Sequence, residues 1–420
     1  GDVPERQDQV PFFFEPDSEG HLAIFGTGGS GKSVALRTLA VSAGITPRGG
    51  PVHVYGLDAA TGGLRMLEPL PHVGAVISGD DTERIERLFG VLRAELDRRG
   101  DAYAAAGAST LTEYRALAGK PDEPRILLLV DGFPAFRNAF EGVPGRADTY
   151  RTLQQVLTDG RGLGIHVALT ADRGQSVPTS LQAMIQRRIV LRMADEDGYA
   201  LLGMPRDILG ADAAPGRAII DDHEAQIAVI GGTPSTKEQS TAVLRMAEAM
   251  LRRGTTPAPG IRSLPTEYTV EALPATTSAG VAIGLSDLDL GPYGIEPVGT
   301  FIVAGTPGAG RSNAAAAIAQ QTLRARSDTP AFYFGDRRSP LMDAVAWAGT
   351  AEAGSAAMAV LSAADEAADR VAEGGAVPIV VLEGIGEFAT SIVEMNLSAL
   401  VKRAGRGEVF FVVLGELSEW

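Results

Sequence analysis

Apolar positions in this chain fall into short unbroken runs separated by longer stretches of helical spacing. LAIF (Leu22–Phe25) has the length of a buried strand, and VALRTLAVSA (Val34–Ala43) has the apolar spacing of a helix. Further strands are predicted at PVHVYGLD (Pro51–Asp58), RILLLVDG (Arg125–Gly132) and GIHVALTADR (Gly164–Arg173). PGRAIIDD (Pro215–Asp222) and AQIAVI (Ala225–Ile230) read as a terminal hairpin. STKEQSTAVLRMAEAMLRR (Ser235–Arg253) opens on a Ser-x-x-Glu capping box and ends at Gly254, the pattern of a complete helix, and the proline-rich stretch TTPAPGIRSLP follows.

The same order then recurs. TFIVAGTPGAGRSNAAAAIAQQ (Thr300–Gln321) overlays the LAIF segment and its helix, and PAFYFGDR (Pro330–Arg337) overlays PVHVYGLD at the same offset. PIVVLEGIGEF (Pro378–Phe388) answers the RILLLVDG block, and GRGEVFFVVLGE (Gly405–Glu416) answers GRGLGIHVALTA. Four blocks in one order predict a duplicated α/β module: two tandem, doubly wound, mainly parallel sheets. The expected division is 1–230 for a complete module, 231–260 for a helix and linker, and 261–420 for a second module that lacks its last strands.

The chemistry sits where strand gives way to helix. GTGGSGKS (Gly26, Thr27, Gly28, Gly29, Ser30, Gly31, Lys32, Ser33) has the P-loop spacing, and its glycines let several N–H groups turn inward by taking positive φ. This predicts an anion cradle for ATP, with Lys32 on the β- and γ-phosphates and Ser33 on Mg²⁺. Asp131, ending its apolar strand, is the expected second Mg²⁺ ligand. Gly132 stands where a water-orienting Glu is common, so tight binding and slow hydrolysis are expected; Glu141 and Asp148 are either substitutes for it from the following loop or, the preferred reading, surface charges. Thr170 is either a γ-phosphate sensor or a strand cap, and Arg161 either an arginine finger for a neighbouring copy or a surface salt bridge. Asp58 reads as the cap of the TGG turn after it.

In the second copy Gly305, Thr306, Pro307, Gly308, Ala309, Gly310 and Ser312 keep the loop, but Arg311 replaces the lysine and Glu383 the aspartate. A forked guanidinium is no neutral exchange for a compact ammonium. Turnover is therefore expected to be lost there first, while phosphate binding stays open.

Composition narrows the classes. Among 420 residues there is no cysteine, which excludes disulfides and thiolate metal sites, and the five histidines never fall at ligand spacing. No apolar run reaches the ~18 residues that span a bilayer, and the first residues lack the pattern of a signal peptide. A net charge of −15 argues against a nucleic-acid surface.

At this point the chain resembles the FtsK/SpoIIIE class of ring-forming motors, through its P-loop, VDG, GRGLGIHVALTADR and PGRA. Within that class it looks like the second and third modules of the EccC/EssC ATPases of type VII secretion. That narrower likeness rests on DVPERQDQVPFFFE (Asp2–Glu15), HVYGLD (His53–Asp58), LEPLPHVGAVIS (Leu67–Ser78), LPTEYTV (Leu264–Val270) and IGLSDLDLGPYGIEP (Ile283–Pro297). The resemblance implies an engine at the cytoplasmic face of the cell membrane, its anchor outside this chain, working with other secretion-complex subunits and able to self-associate into a ring. Its implied substrates are WXG100-type proteins. Asp172 stands where DNA translocases show Gln, and Gly132 where they carry an acid. Two other readings are a fragment of a DNA translocase and a non-catalytic assembly protein stabilised by nucleotide.

Overall fold

RILLLVD forms a strand with all seven residues buried, and everything near the P-loop is built outward from it. The structure is a computed structural model that describes residues 1–3, 8–45, 50–210, 212–287, 290–389 and 391–416. It divides into two compact units, Gly1–Ser263 and Leu264–Trp420.

The main sheet of the first unit has eight strands: β1 (Leu22–Phe25), β2 (Val52–Asp58), β3 (Val73–Ser78), β4 (Arg125–Asp131), β5 (Ile165–Ala171), β6 (Arg187–Leu191), β7 (Arg217–Ile220) and β8 (His223–Gln226). Their order across the sheet is β8-β7-β6-β1-β5-β4-β2-β3. The six from β6 to β3 are parallel, and β7 and β8 close one edge as an antiparallel hairpin. A parallel sheet needs cover on both faces. On one face lie α1 (Lys32–Ile45) and α5 (Thr236–Arg252), which bury Ala35, Leu36, Val243 and Ala247 against Ile24 and Leu129. On the other lie α2 (Thr82–Ala106), α3 (Phe133–Phe140) and α4 (Ala147–Asp159), with Leu88, Phe136 and Leu153 against Leu128 and Val167.

Ser235 caps α5 by accepting from the Glu238 N–H. The proline-rich stretch beyond that helix lies on the same unit, where Tyr55 donates to the Pro259 carbonyl at 3.1 Å. The segment 231–260 is thus packed against the first sheet.

The second unit begins with a small antiparallel sheet, β9 (Thr276–Thr277), β10 (Gly280–Leu285) and β11 (Pro292–Ile295). A parallel sheet follows, made of β12 (Gly299–Ala304), β13 (Ala331–Phe334), β14 (Gly349–Ala351), β15 (Ile379–Glu383) and β16 (Phe410–Gly415), in the order β12-β16-β15-β13-β14. Term by term this is the β1-β5-β4-β2-β3 half of the first sheet. Here α6 (Arg311–Ala325) covers one face, and α7 (Ala357–Asp369) with α8 (Glu394–Ala404) covers the other. Among the described residues no helix is long and apolar enough to cross a membrane.

At the end of the first sheet away from the P-loop, His21 and His166 are buried side by side. Nδ1 of His21 accepts from the Val167 N–H at 3.0 Å, and Nδ1 of His166 faces the Gly20 carbonyl at 2.8 Å. Burial pushes His21 down to about 4 and His166 down to about 3. The folded state therefore refuses protons that the unfolded chain takes up below its ordinary value of 6.5. This stability is fully present above pH 6.5 and is lost as pH falls through the window down to the folded values. At pH 5 each histidine should cost about 2 kcal/mol by linkage. Thermal unfolding of the first unit is expected to move to lower temperature between pH 7 and pH 5; an unchanged midpoint would show that these rings charge freely.

Candidate nucleotide-binding site

The loop Gly26–Gly31 leaves β1 at its C-terminal end and is braced by the ends of three other strands. Gly26 N–H donates to the Ala171 carbonyl at the end of β5, Thr27 N–H to the Arg192 carbonyl after β6, and Gly216 N–H, just before β7, to the Ser30 carbonyl at 2.8 Å. A Cβ on Gly31 (φ 111°) would lie 3.1 Å from the Gly216 nitrogen, so this close crossing of two backbones requires its glycine. Gly29 also takes positive φ, whereas Gly28, expected to do so, does not. Space around Gly28 and Gly29 is open, and the Ser30 hydroxyl is buried without a hydrogen-bond partner. An open glycine loop, a lysine and a helix N-terminus fit a phosphate chain.

Lys32 begins α1 and donates to the Gly26 carbonyl at 2.6 Å and the Thr27 carbonyl at 3.0 Å, and it pairs with Asp172 at 2.7 Å. Beside it the Ser33 hydroxyl donates to Asp131 Oδ2 at 2.5 Å. The Thr170 hydroxyl donates to Asp131 Oδ1 at 2.7 Å and accepts from the Gly132 N–H. Strand order explains this meeting: β5 lies between β1 and β4, so Thr170 stands between the P-loop and the acid. Ser33 and Asp131 suit a hard cation such as Mg²⁺, which takes oxygen ligands and retains several waters.

Sequence reasoning missed Arg37. It is buried one turn along α1, donates to the Ser33 carbonyl at 3.3 Å, and faces Asp131 and Asp58, which are register partners on β4 and β2. Burial lowers its pKa, against the pull of the two carboxylates. Asp58 accepts from the Gly62 and Leu64 N–H groups, capping the turn after it. Arg161 lies at the opposite end of the sheet, donating to the Asp17 and Ser18 carbonyls, so any phosphate it serves belongs to another copy. Glu141 pairs with Arg137 on the surface.

Gly132 has a conformational reason. Its φ is 82°, and an added Cβ would meet the Ala59 and Ala60 backbone at 3.2 Å. Gly132→Glu is expected to destabilise the first unit by about 1–3 kcal/mol, the usual range for strain at a left-handed position, without speeding phosphate release. A faster variant of unchanged melting temperature would reverse that.

In the second unit the Ser312 hydroxyl donates to Glu383 Oε1 at 2.7 Å, and the Tyr333 hydroxyl donates to Oε2 at 2.6 Å. Strand pairing corrects the sequence overlay twice. Glu383 is paired with Leu414, so Leu414 rather than Gly415 occupies the place of Thr170. Tyr333 pairs with Val381, two residues before the acid, as Gly56 pairs with Leu129; it therefore matches Gly56 and not Val54. The acid that Thr170 steadies from one flank in the first unit is steadied by Tyr333 from the other flank in the second. Burial, then the bond to Glu383, pushes the Tyr333 phenol well up, so it stays a donor. The loop Thr306–Gly310 is exposed and Arg311 half-buried above it.

The model of the FtsK/SpoIIIE family matches residues 2–208. Residues 2–208 form an FtsK/SpoIIIE-family domain. Beyond it, the chain is 27% identical over 367 residues to the ESX-1 secretion system protein EccCb1 of Mycolicibacterium smegmatis, covering 82% of this chain and 60% of that protein. It thus spans less than two thirds of that relative's length. It is 27% identical over 336 residues to the ESX secretion system protein EccC of Thermomonospora curvata, covering 74% of this chain and 24% of that one. Among solved structures, ATPases 2 and 3 of Geobacillus thermodenitrificans EssC share the fold, with TM-score 0.77, 24% identity, and 99% of this chain and 82% of that chain covered. So do ATPases 2 and 3 of T. curvata EccC in complex with a signal sequence peptide, with TM-score 0.71, 23% identity, and 99% and 80% covered. The FtsK/SpoIIIE module and the unit after it therefore have the fold of tandem type VII ATPase modules.

Proposed function

We propose that this chain is the ATP-binding tandem ATPase region of a type VII secretion motor, coupling nucleotide binding to the recognition and export of WXG100-type substrates. The observation that carries the reading is the unequal pair of P-loop sites. The first has Ser33 and Thr170 both bonded to Asp131, with Lys32 next to Ser33 and held on the loop carbonyls. The second keeps the Ser312–Glu383 contact but has Arg311 and Leu414 in place of the lysine and the threonine.

Bound Mg²⁺–ATP supplies a phosphoanhydride whose cleavage can drive conformational work. Toward it Lys32 neutralises phosphate charge, Ser33 and Asp131 hold the metal, and Thr170 orients the carboxylate. With Gly132 after Asp131, turnover in isolation is slow. Arg161 serves a neighbouring copy in a ring at the cytoplasmic face of the membrane, alongside other secretion-complex subunits. The second module, freed from strict catalytic geometry, reads the substrate; that ATPases 2 and 3 of T. curvata EccC form a complex with a signal sequence peptide supports peptide recognition by such a tandem pair.

The test is to titrate a labelled C-terminal tail of a WXG100-type protein into the chain. Saturable binding that persists at high salt is expected, because it would rest on apolar burial. Absence of binding to any cognate tail, with tight salt-sensitive binding of duplex DNA, would replace this reading with a DNA translocase. An ATP-dependent rise in melting temperature with no phosphate release at all would leave a nucleotide-stabilised assembly protein.

A further inference from the structure

We propose that Asp172 is a resident counter-anion of the P-loop lysine, which a nucleotide must displace and which makes the site favour metal-complexed over metal-free nucleotide. The inference rests on the reading that the first unit binds nucleotide. A lysine ammonium has three N–H donors. All three of Lys32 are engaged: by the Gly26 carbonyl, the Thr27 carbonyl and Asp172 Oδ1 at 2.7 Å. The two carbonyls belong to the loop itself and stay beside the lysine. Asp172 is the one partner that can leave, because its side chain is 69% exposed while Lys32 is only 14% exposed.

Its position follows from the sheet. Ala171 ends β5 and receives the Gly26 N–H, so the next residue emerges over the P-loop between β1 and β4, the gap through which phosphates reach Lys32. The second unit repeats the arrangement. Gly305 N–H donates to the Gly415 carbonyl, Ala304 pairs with Gly415 as Phe25 pairs with Ala171, and Glu416 follows where Asp172 follows. Both P-loops thus carry an acid at the same register.

An acid beside an anion site works against its ligand in two ways. It occupies the cation that the phosphates need, and once displaced it repels them. Repulsion scales with the charge of the incoming group, about −4 for free ATP and −2 for its Mg²⁺ complex, so the barrier falls most heavily on the metal-free form. The pair is partly exposed, so the effect is moderate and weakens with salt.

The experiment titrates fluorescent ATP into the full chain, with Mg²⁺ or with EDTA, at low and high salt, for the parent, Asp172→Asn and Asp172→Glu. Asp172→Asn should bind Mg²⁺–ATP about threefold tighter than the parent and metal-free ATP roughly tenfold tighter, the fold-change squaring as the ligand charge doubles. Asp172→Glu should stay near the parent, and added salt should narrow the differences. Equal affinities of Asp172→Asn and parent under both conditions would overturn the counter-anion role. Weaker binding by Asp172→Asn would also overturn it, making Asp172 a ligand contact instead. No saturable binding by any of the three proteins, with melting temperatures unchanged, would instead remove the nucleotide-binding reading on which the inference stands.

Discussion

Lys32→Ala should abolish saturable Mg²⁺–ATP binding by the first unit and leave its fold intact. Charge-assisted hydrogen bonds contribute about 1.5–3 kcal/mol each. The one such bond that Lys32 gives to the phosphate chain once Asp172 leaves, together with its positive charge beside the phosphates, corresponds to roughly a hundredfold in affinity. The fold should tolerate the change because Lys32 ties only to its own loop carbonyls and to Asp172, while the loop is held independently by Ala171, Arg192 and Gly216. Calorimetry of the parent, Lys32→Ala, Arg311→Ala and the double variant separates the two sites by stoichiometry. Undiminished binding by Lys32→Ala together with loss in Arg311→Ala would move the nucleotide to the second unit.

Arg99→Met is expected to be the most damaging single change away from the phosphate site. Arg99 lies on α2 and is fully buried. It donates to Glu95 at 2.9 Å, to the Leu163 carbonyl at 2.9 Å and to the Pro124 carbonyl at 2.8 Å, with Glu123 at 3.5 Å. Those carbonyls precede β5 and β4, so one side chain clamps the starts of the two strands whose far ends carry Thr170 and Asp131. Methionine restores much of the volume but leaves buried acceptors unpaired. Removing one partner of a buried ionic network costs about 3 kcal/mol or more. Arg99→Lys should recover only part of this, since a point charge cannot reach three directions at once. Calorimetric unfolding of the first unit is the measurement; a midpoint within a degree of the parent would mean that water replaces the clamp.

The sequence alone determined the local chemistry of this protein. A glycine loop between an apolar strand and a helix is made by neighbouring residues, so the loops Gly26–Ser33 and Gly305–Ser312 were legible without coordinates. Asp131 and Glu383 were legible because an acid ending a fully apolar strand must emerge at its C-terminal end. The hairpin of β7 and β8 and the cap of α5 were equally local.

What only the tertiary structure decided depends on which strands are neighbours and in what register. Periodicity carries no record of strand order, so nothing along the chain showed that β5 lies between β1 and β4 and brings Thr170 to Asp131. Arg37 drew no reading from the sequence, and only its burial facing Asp131 and Asp58 sets it apart. Gly216 braces Ser30 across most of the unit, and Asp172 meets Lys32 only because β5 ends over the loop. Two register shifts, Leu414 for Thr170 and Tyr333 for Gly56, were invisible to a residue-by-residue overlay. Loops absorb insertions at little cost, whereas hydrogen-bonded strands and an acid that must reach its serine do not. The sites are therefore conserved in space between the two copies while the spacing along the chain is not.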